Sequence, residues 1–579
     1  MVRILKYLKP YWSFAIAAPL FMALEVVMDL AQPMFMQRII DVGIANGDTT
    51  YVWKTLYRML SVAFVGFAGG IGCAYFSAKA AINAGTDIRE NVFEHVQNLS
   101  FGNVDRLRTG NLITVLTNDI VQVQRMMMMM MRIMVKAPIQ LVGSLVMTYI
   151  ISPRLFMILL VLVPLLGLGM ALVVKKGYPL YRMVQSKLDV VNTVMQENLS
   201  GIRVVKAFVR EDFERERFSK ANNDYMDSTV KISRIMAIML PLIMVLMNLG
   251  IVAVLWFGNI EVASGSIQVG KVIAFINYLL QLLISVMMVA GMMMMYSRAQ
   301  ASAERIVEVL ETVPDIKDSD SAVPVDKLVG DLIFENVSFS YGDHAIEPVL
   351  TDISFTAKPG EKVAIIGSTG SGKSTLVNLI SRLYDVSGGR ITIGGIDIKE
   401  IKTTSLRKQI SLVLQQSLLF SGTIGDNIRY GKTDATMTEL KESAKVSGAE
   451  DFIESFEKGY ETVLGQKGVN LSGGQKQRIS IARGLIRKPY ILILDDSTSA
   501  VDVVTEFKIQ AALKEMTSSS IVVMVAQRIS SVLDADQIIV LEDGKIAGQG
   551  NHESLIRGNQ VYREIYESQL GKAGEAYGA

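Results

Sequence analysis

Two runs of 26 residues, 235–260 and 272–297, contain no Asp, Glu, Lys or Arg. Crossing a hydrocarbon core of roughly 30 Å takes about 20 apolar residues in helical form, so either run is long enough to span a bilayer. In lipid each backbone N–H and C=O needs a partner inside the segment, which leaves the helix as the conformation for a single run. Shorter apolar stretches near 13–40, 55–80, 133–152 and 155–174 complete a set of six. Half of all residues are hydrophobic and the mean hydropathy is +0.34, too apolar for an ordinary soluble protein. The basic start, with Arg3, Lys6 and Lys9 among Ile4, Leu5 and Leu8, reads as a short surface helix. The long run after it lacks a small-residue cleavage pattern and reads as a first span rather than a removed signal peptide.

Connections alternate in length. Those near 41–52, 151–154 and 261–271 are brief and poor in Lys and Arg, whereas 81–132 and 175–234 are long and basic. The positive-inside rule therefore predicts a multi-pass protein of the cell's cytoplasmic membrane, with both termini and the long loops in the cytoplasm. Three-to-four spacing of apolar residues in Val190–Phe208 extends the helices beyond the lipid, with turns expected near Asn103–Leu112 and Arg210–Phe218. A net charge of +2 gives no case for nucleic acid. The single cysteine, Cys73, lies in an apolar segment, so no disulfide framework exists.

Polarity changes after Arg298. The expected organisation is a transmembrane domain over 1–310, an acidic, proline-marked linker over 311–329, a soluble domain over 330–570 and a frayed tail over 571–579. In the soluble part, strands are predicted at Asp331–Phe339, Lys362–Ile366, Ile410–Leu414, Tyr490–Leu494, Ile521–Val525 and Gln537–Leu541, alternating with helices as in an α/β domain.

Three motifs lie along that domain. Gly367-Ser368-Thr369-Gly370-Ser371-Gly372-Lys373-Ser374-Thr375 follows a predicted strand and opens a helix, the P-loop pattern. Its glycines let the backbone curl until successive N–H groups and the helix N-terminus face one phosphate chain. Lys373 is expected on the β- and γ-phosphates, Ser374 on Mg²⁺ and Thr375 on the α-phosphate. The run ILILDDSTSAVD ends a buried strand on Asp495, the expected Mg²⁺ partner through water, followed by Asp496 where the attacking water is polarised. Leu471-Ser472-Gly473-Gly474-Gln475 caps a further helix.

Together these motifs resemble the nucleotide-binding domain of an ABC transporter, and the six apolar stretches resemble the transmembrane part of type IV ABC exporters. The implied fold is an all-α six-span domain with long cytoplasmic extensions, fused to an α/β P-loop domain. In that family two such chains pair, so that the P-loop of one and the LSGGQ of the other sandwich ATP. The resemblance further implies adenine stacking on Tyr341, Mg²⁺ sensing by Gln415, a D-loop at Asp502, and coupling helices at Asn103–Leu112 and Arg210–Phe218. Three positions depart from the pattern. Asp496 stands for the hydrolytic glutamate, one methylene shorter. Gln527 stands for the histidine at the γ-phosphate, and cannot become cationic. Gln466 stands for a glutamate usual before the signature. None of the histidines, His95, His344 and His552, fills the place of Gln527.

A weakened Walker site beside an intact signature resembles one subunit of a heterodimeric exporter of amphiphilic drugs or lipids. Its LSGGQ then completes the active site of a second, different half-transporter. The alternatives are a homodimeric lipid, glycolipid or peptide exporter, with a processing peptide exporter disfavoured because no peptidase domain precedes the first span, and a nucleotide-gated channel or sensor on the same frame. An importer is disfavoured by the fused spans.

Within the first span, Glu25 and Asp29 share one helix face, and Asp41 lies further along. A carboxylate there is costly and is functional or paired. The pair is expected either to meet a cationic drug or to be neutralised by Arg132 or Lys136, and Asp41 to seal an external gate or to pair with polar neighbours. Met126–Met131, Met287, Met288 and Met292–Met295 suit an adaptable apolar surface, or ordinary packing in lipid.

Overall fold

In a computed structural model of the chain, residues 1–342, 347–516 and 518–570 are described. The expected tail at 571–579 and His344 lie outside the described residues, as do the side chains of Met293 and Met294. Contacts divide the chain into two compact units, Met1–His95 with Gly110–Glu311, and Val96–Thr109 with Thr312–Ala579.

The first unit is helical. Its long helices are Trp12–Arg38, Thr49–Asn98, Ile120–Ile151, Pro153–Ser200, Glu211–Ala263 and Val269–Glu311, the six-span transmembrane domain. Five stretches of the described residues are long and apolar enough to cross a membrane, and a further apolar stretch, Pro153–Gly169, opens the fourth helix. The fourth helix lies along the fifth, and the first and third pack against the sixth. Leu155, Leu159, Leu162 and Leu166 recur at alternating four- and three-residue spacing and meet Phe275, Tyr278, Leu279 and Leu282 of the sixth helix.

Pro33, inside the first helix, brings no N–H to the carbonyl of Asp29 four residues earlier. The sixth helix supplies a donor instead, Gln281 Nε2 lying 3.4 Å from the Asp29 carbonyl oxygen, and the Tyr278 hydroxyl adds a bond to the Leu30 carbonyl at 2.5 Å.

The second long loop differs from its expectation. The turn lies at Gly201–Arg210, carrying the short helix Ile202–Ala207, while Arg210–Phe218 runs into the fifth helix. Gly201 ends the preceding helix, and Glu211, Asp212 and Glu214 in the first turn of the next complement its N-terminal dipole. The first loop turns where expected, through Phe101–Leu107, which starts on a reciprocal cap between Ser100 and Asn103.

The second unit carries two main sheets. The strands are β1 (Leu332–Phe339), β2 (Leu350–Ala357), β3 (Lys362–Gly367), β4 (Gly388–Ile393), β5 (Ile396–Asp397), β6 (Ile410–Val413), β7 (Gly422–Thr423), β8 (Val463–Leu464), β9 (Ile491–Asp495), β10 (Ile521–Val525), β11 (Gln537–Glu542) and β12 (Lys545–Gly550). One sheet is ordered β2-β1-β4-β5 and antiparallel; the other runs β12-β11-β3-β10-β9-β6, parallel except for β12. Strands β9 and β10 are buried throughout and read as unbroken Ile, Leu, Val and Met up to Asp495 and Val525, as a parallel sheet covered on both faces requires.

Candidate nucleotide site and membrane cavity

Register brings the motifs to one edge. Val525 of β10 pairs with Ile365 of β3 on one side and Asp495 of β9 on the other, and Val413 of β6 lies opposite Leu494. The segments leaving these four strands therefore emerge side by side at the carboxyl ends, where open α/β sheets bind ligands. They supply the loop Gly367–Gly372, Asp496, Gln527 and Gln415. Lys373, Ser374, Thr375, Gln415, Asp495, Asp496 and Gln527 line one cavity of about 260 Å³ there.

Gly372 caps the helix Lys373–Ile380 with φ +94°. A Cβ at that position would come within 2.7 Å of Leu350, so the turn requires glycine twice over, for conformation and for space. The Lys373 ammonium donates to the carbonyls of Gly367 and Ser368 at 3.0 and 2.7 Å, and burial lowers its pKa. Ser371 is buried, and the Tyr341 hydroxyl is 3.0 Å from that of Thr375. The Tyr341 ring is partly exposed and stands edge-on to Phe339 and Tyr384.

Ser374 donates to Asp495 Oδ1 at 3.2 Å. A hydroxyl, a carboxylate and the nearby Gln415 amide are hard oxygen donors of the kind Mg²⁺ takes beside phosphate oxygens, so these residues fit that ion. Asp496 has φ +47°, in the left-handed region. One of its oxygens, Oδ2, accepts from Gln415 at 3.0 Å and from Gln527 at 2.9 Å. Burial raises the pKa of Asp495 and of Asp496, hydrogen bonds from Ser374 and Gln415 respectively opposing the rise.

The signature lies apart from this cavity. Ser472 caps the helix Gly473–Leu485 through a reciprocal box with Gln475, and Leu471 is buried beneath. Gln477, one turn on, binds Ser499 and the Ala500 N–H, tying this helix to the segment after Asp496. Asp502 caps the next helix by accepting from the Thr505 N–H at 2.9 Å, which lowers its pKa. Sequence reasoning passed over Glu506. Its buried carboxylate accepts from Thr498 and Ser531 at 2.7 and 2.6 Å and lies 3.5 Å from Arg528, joining the segments after β9 and β10. An acidic residue one turn after a helix cap was the only hint of it.

In the helical unit, Lys136 of the third helix reaches Glu25 at 2.6 Å and Asp29 at 3.5 Å. Lys136, not Arg132, is thus the cation between the two carboxylates. The second helix approaches closely here, because a Cβ on Gly70 would lie 3.0 Å from the Glu25 carboxylate and one on Gly69 3.0 Å from the Phe21 carbonyl oxygen. Asp41 is buried in the π-helical turn Ile39–Ile44 and accepts from the Gly270 N–H at 2.6 Å, fastening the first helix to the sixth. Met22, Glu25, Asp29, Arg125, Arg132 and Lys136 border a cavity of about 930 Å³ whose remaining wall is largely apolar.

Comparison with known proteins agrees with both halves. Residues 15–286 match the ABC transporter transmembrane region and residues 350–499 the ABC transporter domain. An uncharacterized ABC transporter ATP-binding protein of Bacillus subtilis, YfiB, is 42% identical over 99% of either chain. The ATP-dependent lipid A-core flippase of Syntrophus aciditrophicus is 34% identical over 88% of this chain and 85% of its own. A bacterial Atm1-family ABC exporter solved with ATP bound superposes with a TM-score of 0.80 at 26% identity, over 96% of this chain and 99% of that one. Carrying an exporter-type transmembrane region and an ATP-binding domain on one polypeptide, the chain belongs to the ABC transporters.

Proposed function

We propose that the protein is one half of a heterodimeric ABC exporter of the cytoplasmic membrane, moving amphiphilic drugs or lipids outward at the expense of ATP. The observation that carries this reading is the double engagement of Asp496 Oδ2 by Gln415 and Gln527. A general base needs a lone pair aimed at the water it activates. Here a shortened carboxylate spends one oxygen on two amides, one of them at the position where the family carries histidine. Such a site binds nucleotide through Gly367–Thr375 and turns it over slowly.

Ser374, Asp495 and Gln415 would hold Mg²⁺, which supplies neutralising charge to the phosphates when bound. Lys373 leaves its two carbonyl partners for the phosphate chain, and the N–H groups of Gly370–Thr375 hold that chain in place. The capped Ser472–Gln475 turn supplies donors to nucleotide on the second, different subunit, where hydrolysis is faster. Nucleotide held at the slow site keeps the two ATP-binding domains together, while the fast site resets the transporter between inward- and outward-facing states.

Purification from the native membrane tests the pairing. A second subunit with glutamate and histidine at the corresponding positions is expected at one-to-one stoichiometry. A homogeneous single-chain preparation that hydrolyses ATP at full exporter rates, and loses them in Asp496→Asn, overturns it. A homodimeric lipid exporter is the second reading, favoured by the likeness to the lipid A-core flippase.

A further inference from the structure

The charges around the membrane cavity do not cancel. Arg125, Met128, Met129, Arg132, Ile133 and Lys136 all border it, and their spacing of three and one places them on one face of the third helix. With Glu25 and Asp29 opposite, three cations stand against two carboxylates. Lys136 is already committed to both carboxylates. Arg125 and Arg132 are exposed to the cavity side and make no ion pair or hydrogen bond among the described residues. Seven residues apart, they stand about 10 Å from one another along the helix axis.

A guanidinium does not lose its charge and presents a planar fork suited to phosphate or carboxylate. Both arginines precede the apolar stretch 133–152, on the side that the positive-inside rule makes cytoplasmic. The rest of the wall includes Phe67, Ile71 and Met288, and Met128 lies between the two arginines on their own helix. Methionine adapts its shape to chains of differing length and branching. The volume, about 930 Å³, lies within the range of ligand-holding cavities.

We propose that this cavity binds a lipid-like amphiphile with an anionic headgroup, Arg125 and Arg132 taking the headgroup and the methionine-rich wall the chain. The proposal rests on the exporter reading above and narrows its cargo: a cationic drug would meet two unneutralised arginines and find both carboxylates occupied by Lys136.

The test is equilibrium binding without ATP, on the full-length protein with whatever subunit co-purifies, in a neutral maltoside detergent. The probes are a fluorescent lysophosphatidylglycerol, its phosphatidylcholine counterpart and a fluorescent quaternary ammonium amphiphile. The anionic probe should bind tightest. R125Q/R132Q should weaken it about a hundredfold, at about tenfold for each lost charged contact, and weaken the zwitterionic probe, whose phosphate charge is offset by its choline, by much less. R125K/R132K should retain most of the affinity. An unchanged affinity in R125Q/R132Q, or a cationic probe that binds as tightly as the anionic one, overturns the proposal. If R125Q/R132Q does not fold, a salt series on the unaltered protein decides. Anionic binding must weaken with ionic strength more steeply than zwitterionic binding, and a flat anionic series counts against the proposal. Binding read without ATP is independent of transport, so failure of ATP-driven export leaves this result standing, and failed binding leaves the export reading standing.

Discussion

Gln527 donates its side-chain amide to Asp496 Oδ2 at 2.9 Å, on the oxygen that Gln415 already holds. Lengthening the carboxylate and exchanging the Gln527 amide for imidazole should free that oxygen of its second amide and advance the carboxylate into the site. If the proposed second subunit exists, D496E/Q527H assembled with it, its own nucleotide site inactivated, is expected to hydrolyse ATP about a hundredfold faster than the unaltered chain in the same assembly, the scale on which a displacement of about 1 Å acts. Single-turnover hydrolysis measures it. No gain in the double variant removes the slow-site reading.

Asp496 should also cost stability. Its pKa is raised chiefly by burial, so the folded chain keeps this proton more readily than the unfolded chain does. Stability at this group is therefore lost as pH rises through the raised value and regained as pH falls toward the ordinary aspartate range. D496N can still accept from Gln415 and Gln527 but carries no charge. Its Tm is expected above that of the parent at neutral pH, the advantage shrinking as the pH approaches about 4. Thermal scans across pH 4–8 that show equal Tm throughout would contradict this.

Asn103 is fully buried and uses both ends of its amide. Its oxygen accepts from the N–H groups of Ser100 and Asp315 at 3.1 Å, and its nitrogen donates to Val313 at 3.1 Å and Asp315 at 2.9 Å. These bonds, with that from Tyr384 to Asp105 at 2.6 Å, hold the turn of the first long loop within the nucleotide-binding unit. Asn103→Ala strands several buried groups at once, a loss of about 2–3 kcal/mol. Limited proteolysis should cut within 96–109 much faster in the variant, while ATP binding persists.

Lys136 sets the sign of the membrane cavity. Lys136→Met leaves Glu25 and Asp29 facing each other without their cation, a loss of about 1.5–3 kcal/mol for the charged hydrogen bond. The Tm in detergent should fall, and probe preference should swing from the anionic toward the cationic amphiphile. Retention of both the parental Tm and the parental preference would show that the pair is neutralised by other means.

Much of the site could be read because its geometry is local. A strand, a glycine turn and a helix start are contiguous in Gly367–Thr375, and Asp495 ends an unbroken apolar run. Long-range satisfaction was less visible. The choice of Lys136 over Arg132 depends on which turn of the third helix faces Glu25, and the first two spans approach where Gly66, Gly69, Gly70 and Gly72 carry no side chains between them. The antiparallel strands β2, β4 and β12 escaped a search for apolar runs, since β2 alternates buried and exposed residues and β12 exposes every other one. The second turn lies some eight residues before the expected Arg210–Phe218, because Glu211, Asp212 and Glu214 begin a helix there.

The Asp29 carbonyl, left without a helical donor by Pro33, finds one on the sixth helix in Gln281, and Tyr278 adds a bond to the Leu30 carbonyl. Main-chain oxygens stripped of donors in lipid cost several kcal/mol each. Sliding the sixth helix along the first would strip the Asp29 carbonyl and break the Tyr278 bond at once, and would also part Asp41 from Gly270 two to three turns away. Clasped at two levels, these helices are suited to travel as one strut, and the compliance a transporter needs must come from seams that carry no such clasp.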